Sequence, residues 1–305
     1  MSPVVAIGPS SFAAKDSTPL DMLREAGIEV KPNPFGRRLT EDEIITQLEG
    51  VDGLVAGLEP LNRKVISSAA PRLKAIARVG IGVTNVDFDA AAEFSVKVSS
   101  TPDGPVAAVA ELTVTALLTL IRGVLPMNAA LHRGEWTKDI GSGLLGTKVL
   151  LIGYGRIGHR TGELLRAFGA ELLVYDPLVA PASLENGERA VSLAEGLAEA
   201  EVISLHASGE ACILDADAFA TMSDGVVLLN SARGGLVDET ELVAALDLGK
   251  VAAAWFDAFW QEPYSGPLVG YEQVLLTPHV GTYTKQCRSG METEAVRNLL
   301  RDLGV

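Results

Sequence analysis

The sequence predicts two α/β domains, each built on a doubly wound parallel sheet. Three observations carry this expectation. Short β-rich apolar runs alternate with helical stretches from the first residues, a long apolar helical segment interrupts the alternation once, and a second alternating series follows. At 305 residues, 48% of them apolar, the chain also exceeds what one hydrophobic core organises.

The first series reads VVAIG, LDMLREAG, IEVKPN, TEDEIITQLEG, GLVAGL, VISSAAP and LKAIARVG. After VKVSS the pattern changes. Pro105 suits the first turn of a helix, and one long helix is expected from there to about Val124. Glu111, Arg122 and several threonines interrupt its apolar face, so a buried helix is expected there and not a membrane span. The first domain boundary falls near Ser100. The second series reads KVLLIG, AELLVYDP, EVISLHA, GVVLLN, AAAWFDAF and VLLTPHV. In the tail, Met291, Ala295, Val296, Leu299 and Leu303 recur at helical spacing, which predicts a helix packing one face against protein, here expected to be the N-terminal domain.

Bulk charge narrows the function. A formal net charge of −14 opposes a polyanion, so nucleic acid and anionic membrane surfaces are not expected partners. A small anionic substrate stays compatible, because a local arginine cluster can oppose the global field. The two cysteines, Cys212 and Cys287, lie far apart without metal-ligand spacing. Neither a metal site nor a disulfide framework is expected, and both are read as packing residues of a protein in a reducing compartment. The start, MSPVVAIGPSSF, shows no basic segment followed by a long apolar run, so a cytoplasmic location is expected.

The run KVLLIGYGRIGHRTGELLRAFGAELLVYDP places Gly153-Tyr154-Gly155-Arg156-Ile157-Gly158 between a buried strand and an amphipathic helix. A second strand then ends at Asp176. Gly153 permits the tight turn, Gly155 lets a pyrophosphate approach the backbone, and Gly158 lets the helix sit close to the strand. The helix N-terminus adds amides and partial positive charge for the phosphates. Asp176 accepts hydrogen bonds from ribose hydroxyls, and its charge repels a 2′-phosphate. With no arginine beside it in Asp176-Pro177-Leu178, NAD is the expected cofactor over NADP.

Three later segments hold candidate chemistry: SARGGLVDETELVAAL, AWFDAFWQEP and VLLTPHVG. Each lies at or after a predicted strand, and parallel-sheet enzymes bind ligands beyond the carboxyl ends of strands, so Arg233, Asp257, Glu262 and His279 are able to converge. With VGIGVTNVD, VAELT and GYGRIG, these segments resemble the D-2-hydroxyacid dehydrogenase family, especially D-3-phosphoglycerate dehydrogenase-like members. The order and spacing of the motifs carry the resemblance over nearly the whole chain.

The resemblance implies a Rossmann cofactor domain, residues 101–282, inserted in a flavodoxin-like substrate domain, residues 1–100 plus 283–305, with the active site in the cleft between them. It implies that Arg233 holds the substrate carboxylate and carbonyl, that His279 donates and accepts the proton, and that Glu262 pairs with His279. Ser231, Ala232 and Asp257 match positions at the nicotinamide end of the cofactor. Gly80, Ile81 and Gly82 match the loop that receives the substrate carboxylate, with Arg78 beside it as a possible phosphate ligand. The chemistry asks for the same residue types: a ketone accepting hydride develops charge on oxygen, which a guanidinium stabilises and an imidazolium quenches. A neighbouring carboxylate orients the imidazole and favours its protonated form.

Departures from the family pattern bear on the substrate. Glu59, in Gly57-Leu58-Glu59-Pro60, is a poor neighbour for a phosphate, and Tyr283 and Trp260 are each either pocket-lining or packing residues. Formate dehydrogenases of the superfamily carry glutamine where Glu262 stands, which favours a 2-hydroxy acid. A second class of reading is an NADH-sensing, corepressor-like binding protein with a vestigial site. The family also implies a homodimer, formed through the helix from Pro105 and the segment His132 to Trp136. His132, His159 and His206 are assigned no chemical role.

Overall fold

The computed structural model describes residues 2–209 and 211–305 and divides into two compact units. The first runs to Pro105 and resumes at Thr282–Val305; the second is Val106–Gly281. In the first unit the order is β1 (Val4–Ile7), α1 (Thr18–Glu25), β2 (Glu29–Lys31), α2 (Glu41–Gln47), β3 (Gly53–Ala56), α3 (Arg63–Ala69), β4 (Ala75–Arg78), α4 (Phe88–Glu93) and β5 (Lys97–Ser99). All pairings are parallel, in the order β2-β1-β3-β4-β5. β3 and β4 are buried at every residue, as a parallel strand covered on both faces must be, which explains their unbroken apolar runs. Helix starts are set by side chains: Thr40 and Glu43 form a reciprocal capping box, while Asn62 and Asp87 accept from Val65 and Ala90 amides.

The chain continues through α5 (Pro105–Ile121) and α6 (Val124–His132). The helix expected from Pro105 to about Val124 is α5, ending at Ile121, and α6 follows it at an angle of 63°. Pro126 in a continuous helix would crowd the carbonyl of Arg122, and Gly123 ends the first helix in the left-handed region at φ 56°. No single helix among the described residues is long and apolar enough to cross a membrane.

The second sheet comprises β6 (Lys148–Ile152), β7 (Glu171–Tyr175), β8 (Arg189–Ala190), β9 (Val202–Leu205), β10 (Val226–Asn230), β11 (Val251–Phe256) and β12 (Val274–Leu276). It is parallel throughout, in the order β12-β11-β10-β9-β6-β7-β8, so strand order reverses between β6 and β9. α7 (Arg156–Ala167), α8 (Leu193–Glu199), α9 (Ala216–Thr221) and α10 (Glu239–Asp247) supply the crossovers. The expected doubly wound architecture is present in both units. One core lies under Leu150, Ile203, Leu228 and Phe256, the other under Leu117, Leu151, Leu229 and Trp255. The last helix, α11 (Lys285–Leu303), packs on α1 and on β3, β4 and β5, burying Met291, Ala295, Val296 and Leu299.

One cysteine departs from expectation. Cys287 is buried in α11, but Cys212 is exposed. The chain is anchored just beyond it, where the amides of Ile213 and Leu214 donate to the Leu236 carbonyl, and Leu214, not Cys212, enters the core.

Candidate active site

In the second unit, every site residue expected there follows the carboxyl end of a strand. After β6, Gly153 adopts φ +92°, and a Cβ there would stand 2.5 Å from the Ala207 amide. A Cβ on Gly158 would collide with the Gly153 carbonyl, whereas one on Gly155 would meet nothing within 4 Å. The turn is therefore closed by Gly153 and Gly158 and open at Gly155, at the point where strand order reverses. Gly155 is also the N-cap of α7 and brings no side-chain acceptor, so the first helical amides are left to a ligand. Arg156 is exposed and Ile157 half-buried on that first turn.

Asp176, after β7, is partly exposed and accepts from the Tyr154 amide at 2.7 Å and the Leu178 amide at 2.9 Å. These bonds aim the carboxylate along the glycine turn and leave each oxygen further acceptor capacity. The loop is also braced by a residue that the motif does not specify. Tyr154 is buried, and its hydroxyl donates to Glu188 at 3.0 Å, the same carboxylate that Arg166 holds. The glycine cradle, helix terminus and acid fit a dinucleotide.

The loop after β10 carries Ser231, Ala232 and Arg233. Its shape depends on Asn230, fully buried at the end of β10, whose amide donates to the Arg233 carbonyl and whose oxygen accepts from the Ala232 amide. Sequence reasoning missed Asn230, although a lone amide closing the apolar run VVLL was a readable signal. The Arg233 guanidinium donates to the Ala232 carbonyl at 2.7 Å. A Cβ on Gly234 would collide with the backbone of Phe259 and Trp260, so this glycine lets the arginine loop pack directly against the segment leading to Glu262.

The structure joins His279 and Glu262 directly. Nδ1 of His279 lies 2.9 and 3.0 Å from the two carboxylate oxygens, and Glu262 Oε1 also accepts from the Phe259 amide. Both side chains are partly exposed, at 40% and 29%, which leaves the far side of the imidazole open to a substrate. His279 adopts φ 53°, the left-handed region that costs a non-glycine residue energy, so its surroundings must hold it there. Asp257 does so. Its buried carboxylate accepts from Thr277 Oγ1 at 2.6 Å, the Val280 amide at 2.8 Å and the Gly281 amide at 2.7 Å, and Trp255 in turn donates to Thr277. Asp257 thus clamps both flanks of His279.

Trp260 is a packing residue: it stacks on Phe256 and donates to the Val237 carbonyl. Tyr283 is exposed beneath Arg288. His206, after β9, lies between the hydroxyls of Ser204 (2.9 Å) and Ser231 (3.4 Å), and burial pulls its pKa down to about 4. It is neutral at pH 7.

Arg78, Gly80, Ile81 and Gly82 belong to the first unit, at the end of β4. Arg78 is buried and its guanidinium folds back over Gly80, bonding the Val79 carbonyl. Gly80 is pinned to Thr101, to which its amide donates at 2.7 Å and from whose amide its carbonyl accepts at 3.1 Å. Ile81, exposed, and Gly82 lie beyond that anchor.

Residues 114–281 match the model of the D-isomer specific 2-hydroxyacid dehydrogenase, NAD binding domain. The chain is 33% identical over 300 residues to hydroxypyruvate reductase of Thermotoga maritima, covering 95% of this chain and 96% of that one. It is 35% identical over 265 residues to D-3-phosphoglycerate dehydrogenase of Mycobacterium tuberculosis, covering 85% of this chain but only 50% of that protein; the chain spans about half the length of the phosphoglycerate dehydrogenases it matches. Among solved structures, a glyoxylate reductase from Paecilomyes thermophila superposes with a TM-score of 0.84 at 28% identity, over 99% of this chain and 95% of that one. A Thermus thermophilus protein does so with 0.89 at 32%, over 99% and 97%. NAD is the cofactor of the matched domain.

Proposed function

Because the chain belongs to the D-isomer specific 2-hydroxyacid dehydrogenase family, we propose that it interconverts a small D-2-hydroxy acid and its 2-oxo acid. The observation that carries this reading is the His279–Glu262 pair, held beside the arginine loop by Gly234. NADH, when bound, supplies the hydride to the carbonyl carbon. Arg233 binds the substrate carboxylate and carbonyl and opposes the charge that grows on oxygen. With Nδ1 engaged by Glu262, Nε2 of His279 is the atom that protonates that oxygen, and it takes the proton back in oxidation. Glu262 holds the ring in place through Nδ1. Asp176 takes the ribose hydroxyls; the amides at Gly155, Arg156 and Ile157 face the pyrophosphate; Ser231, Ala232 and Asp257 border the nicotinamide; and Gly80, Ile81 and Gly82 receive the substrate carboxylate.

The candidate substrates follow from the names of the relatives: D-3-phosphoglycerate and its oxo form on one side, hydroxypyruvate and glyoxylate on the other. The same reading includes a cytoplasmic homodimer. Val124, Leu125 and Leu131 on or near the outer face of α6, then Trp136, Ile140 and Leu145 beyond it, are all exposed, an apolar run suited to burial against a second copy. The test is steady-state NADH oxidation with phosphohydroxypyruvate, hydroxypyruvate and glyoxylate. Turnover with at least one, abolished in Arg233→Ala, supports the reading; tight NADH binding with no turnover on any would favour a cofactor-sensing protein.

A further inference from the structure

Tyr154 stands between Gly153 and Gly155, yet its side chain belongs to the core and not to the turn. The ring is buried among the residues under β6 and α7, so close to α7 that a Cβ on Gly162 would stand 3.3 Å from Cε2. Its hydroxyl donates to Oε1 of Glu188, 34 residues along the chain, at 3.0 Å. Glu188 immediately precedes the edge strand β8, and only 1% of its side chain is exposed. Two further donors hold its carboxylate: Arg166, in the last turn of α7, on Oε1, and the Asn186 amide on Oε2 at 2.9 Å. One buried carboxylate therefore ties together the glycine turn, the far end of α7 and the loop of residues 177–188. The backbone of Tyr154 makes a second link to that loop. Its amide donates to Asp176 Oδ2 at 2.7 Å, and Asp176 Oδ1 accepts from the Leu178 amide at 2.9 Å. Val179 and Leu184, in the same loop, pack against the core that holds the Tyr154 ring.

We propose that Tyr154 and Glu188 are positioning residues for the adenosine and pyrophosphate half of the cofactor: the Tyr154 hydroxyl, anchored on Glu188, holds the glycine turn and Asp176 in the geometry that binds a dinucleotide. This rests on the reading in which that turn faces the pyrophosphate and Asp176 takes the ribose hydroxyls. The glycine motif asks for no particular residue at this position, so a buried tyrosine here is a choice of this chain. Desolvating a carboxylate offsets much of what its bonds contribute, so the cluster adds little to folding and fixes geometry instead. The amides of Gly155 and Arg156 follow Tyr154 directly, and its own amide aims Asp176. A turn freed from Glu188 presents these groups in several directions and must be ordered when the cofactor binds, which weakens binding without removing a contact. His279 and Glu262 follow β12 and β11, across the sheet from this cluster, so the chemical step is left alone.

Tyr154→Phe removes the hydroxyl and leaves the ring packed, while Glu188→Gln keeps the shape and removes the charge. Dissociation constants for NADH by fluorescence and for ADP-ribose by calorimetry locate the effect along the cofactor, with thermal melts as the control for folding. Tyr154→Phe is expected to raise Kd about 10-fold, equally for NADH and ADP-ribose, with kcat at saturating NADH within about twofold of wild type. Glu188→Gln raises both about threefold, because its amide oxygen still accepts from the hydroxyl. The double variant binds no more weakly than Tyr154→Phe, since Glu188 reaches the turn through that hydroxyl. In Tyr154→Phe the amides of residues 154 and 178, which hold Asp176, exchange faster. Wild-type Kd values in Tyr154→Phe overturn the proposal, as do a loss for NADH with none for ADP-ribose, a double variant in which the two losses multiply, or wild-type exchange at both amides. A wild-type protein that binds neither NADH nor ADP-ribose defeats the cofactor reading itself, a failure distinct from these.

Discussion

Replacing Asp257 by asparagine tests how the proton donor is held. In the native site, Oδ1 accepts from Thr277 Oγ1 and the Val280 amide, and Oδ2 accepts from the Gly281 amide. Asparagine keeps its oxygen on the side with two donors and turns its NH2 toward the Gly281 amide, so one charge-assisted bond is lost and two donors face each other in a buried space. A bond of this kind contributes about 1.5–3 kcal/mol, and a buried unsatisfied donor costs about 1–3 kcal/mol more. The penalty, together about 2.5–6 kcal/mol, falls on a short loop able to open locally and shifts its open population by roughly 70- to 25,000-fold. Because His279 sits inside that loop at a positive φ, it loses its pairing with Glu262 in the open form. Asp257→Asn should therefore lower kcat by at least about tenfold and accelerate amide exchange at residues 280–281, with exchange in the β6–α7 turn unchanged. Wild-type protection at 280 and 281 in the variant would refute the clamp, whatever happens to turnover.

Other perturbations give equally direct outcomes. His279→Gln should lower turnover by about 10² to 10⁴ while NADH affinity, read by fluorescence titration, stays near wild type; a fully active variant defeats the assignment. Specificity constants should favour NADH over NADPH, and Asp176→Ala should narrow the gap; equal constants in the wild type would remove the role given to Asp176. Trp136→Asp, placed in the exposed apolar run beyond α6, should shift the protein from dimer to monomer in sedimentation, and an unchanged mass would move the interface elsewhere. Burial lowers the pKa of His206 from 6.5 to about 4, so the unfolded chain binds this proton first. The stability this group contributes is present above pH 6.5 and is lost as pH falls through about 4, on the order of 3 kcal/mol. Urea midpoints between pH 7 and 4 should fall less steeply in His206→Gln, and identical slopes would contradict the burial argument.

The sheets were legible because parallel strands covered on both faces read as unbroken apolar runs, and the glycine turn because Gly153 and Gly158 answer steric demands that no other residue meets. Arg233, Glu262 and His279 were readable from their segments, although only the structure shows the bond that joins the last two. What escaped the sequence are side chains whose partners lie elsewhere in the chain. Asp257 matches a position at the nicotinamide end of the cofactor, but its bonds to three donors 20 to 24 residues away show only in the structure. Glu59 reads as an acid repelling phosphate, yet it is sealed beneath two glycines. Cys212 reads as buried from a general tendency of cysteine, but it is exposed and Leu214 enters the core instead.

The most direct test of the central claim follows the hydride itself. Incubating the protein with NADH deuterated at C4 and the 2-oxo acids that oxidise it, then examining the product by mass spectrometry and chiral separation, reads both bond formation and stereochemistry. The account predicts a 2-hydroxy acid of D configuration with deuterium at C2, formed by the wild type and not by Arg233→Ala. NADH that binds but is never oxidised by any 2-oxo acid, or an L product, would contradict it.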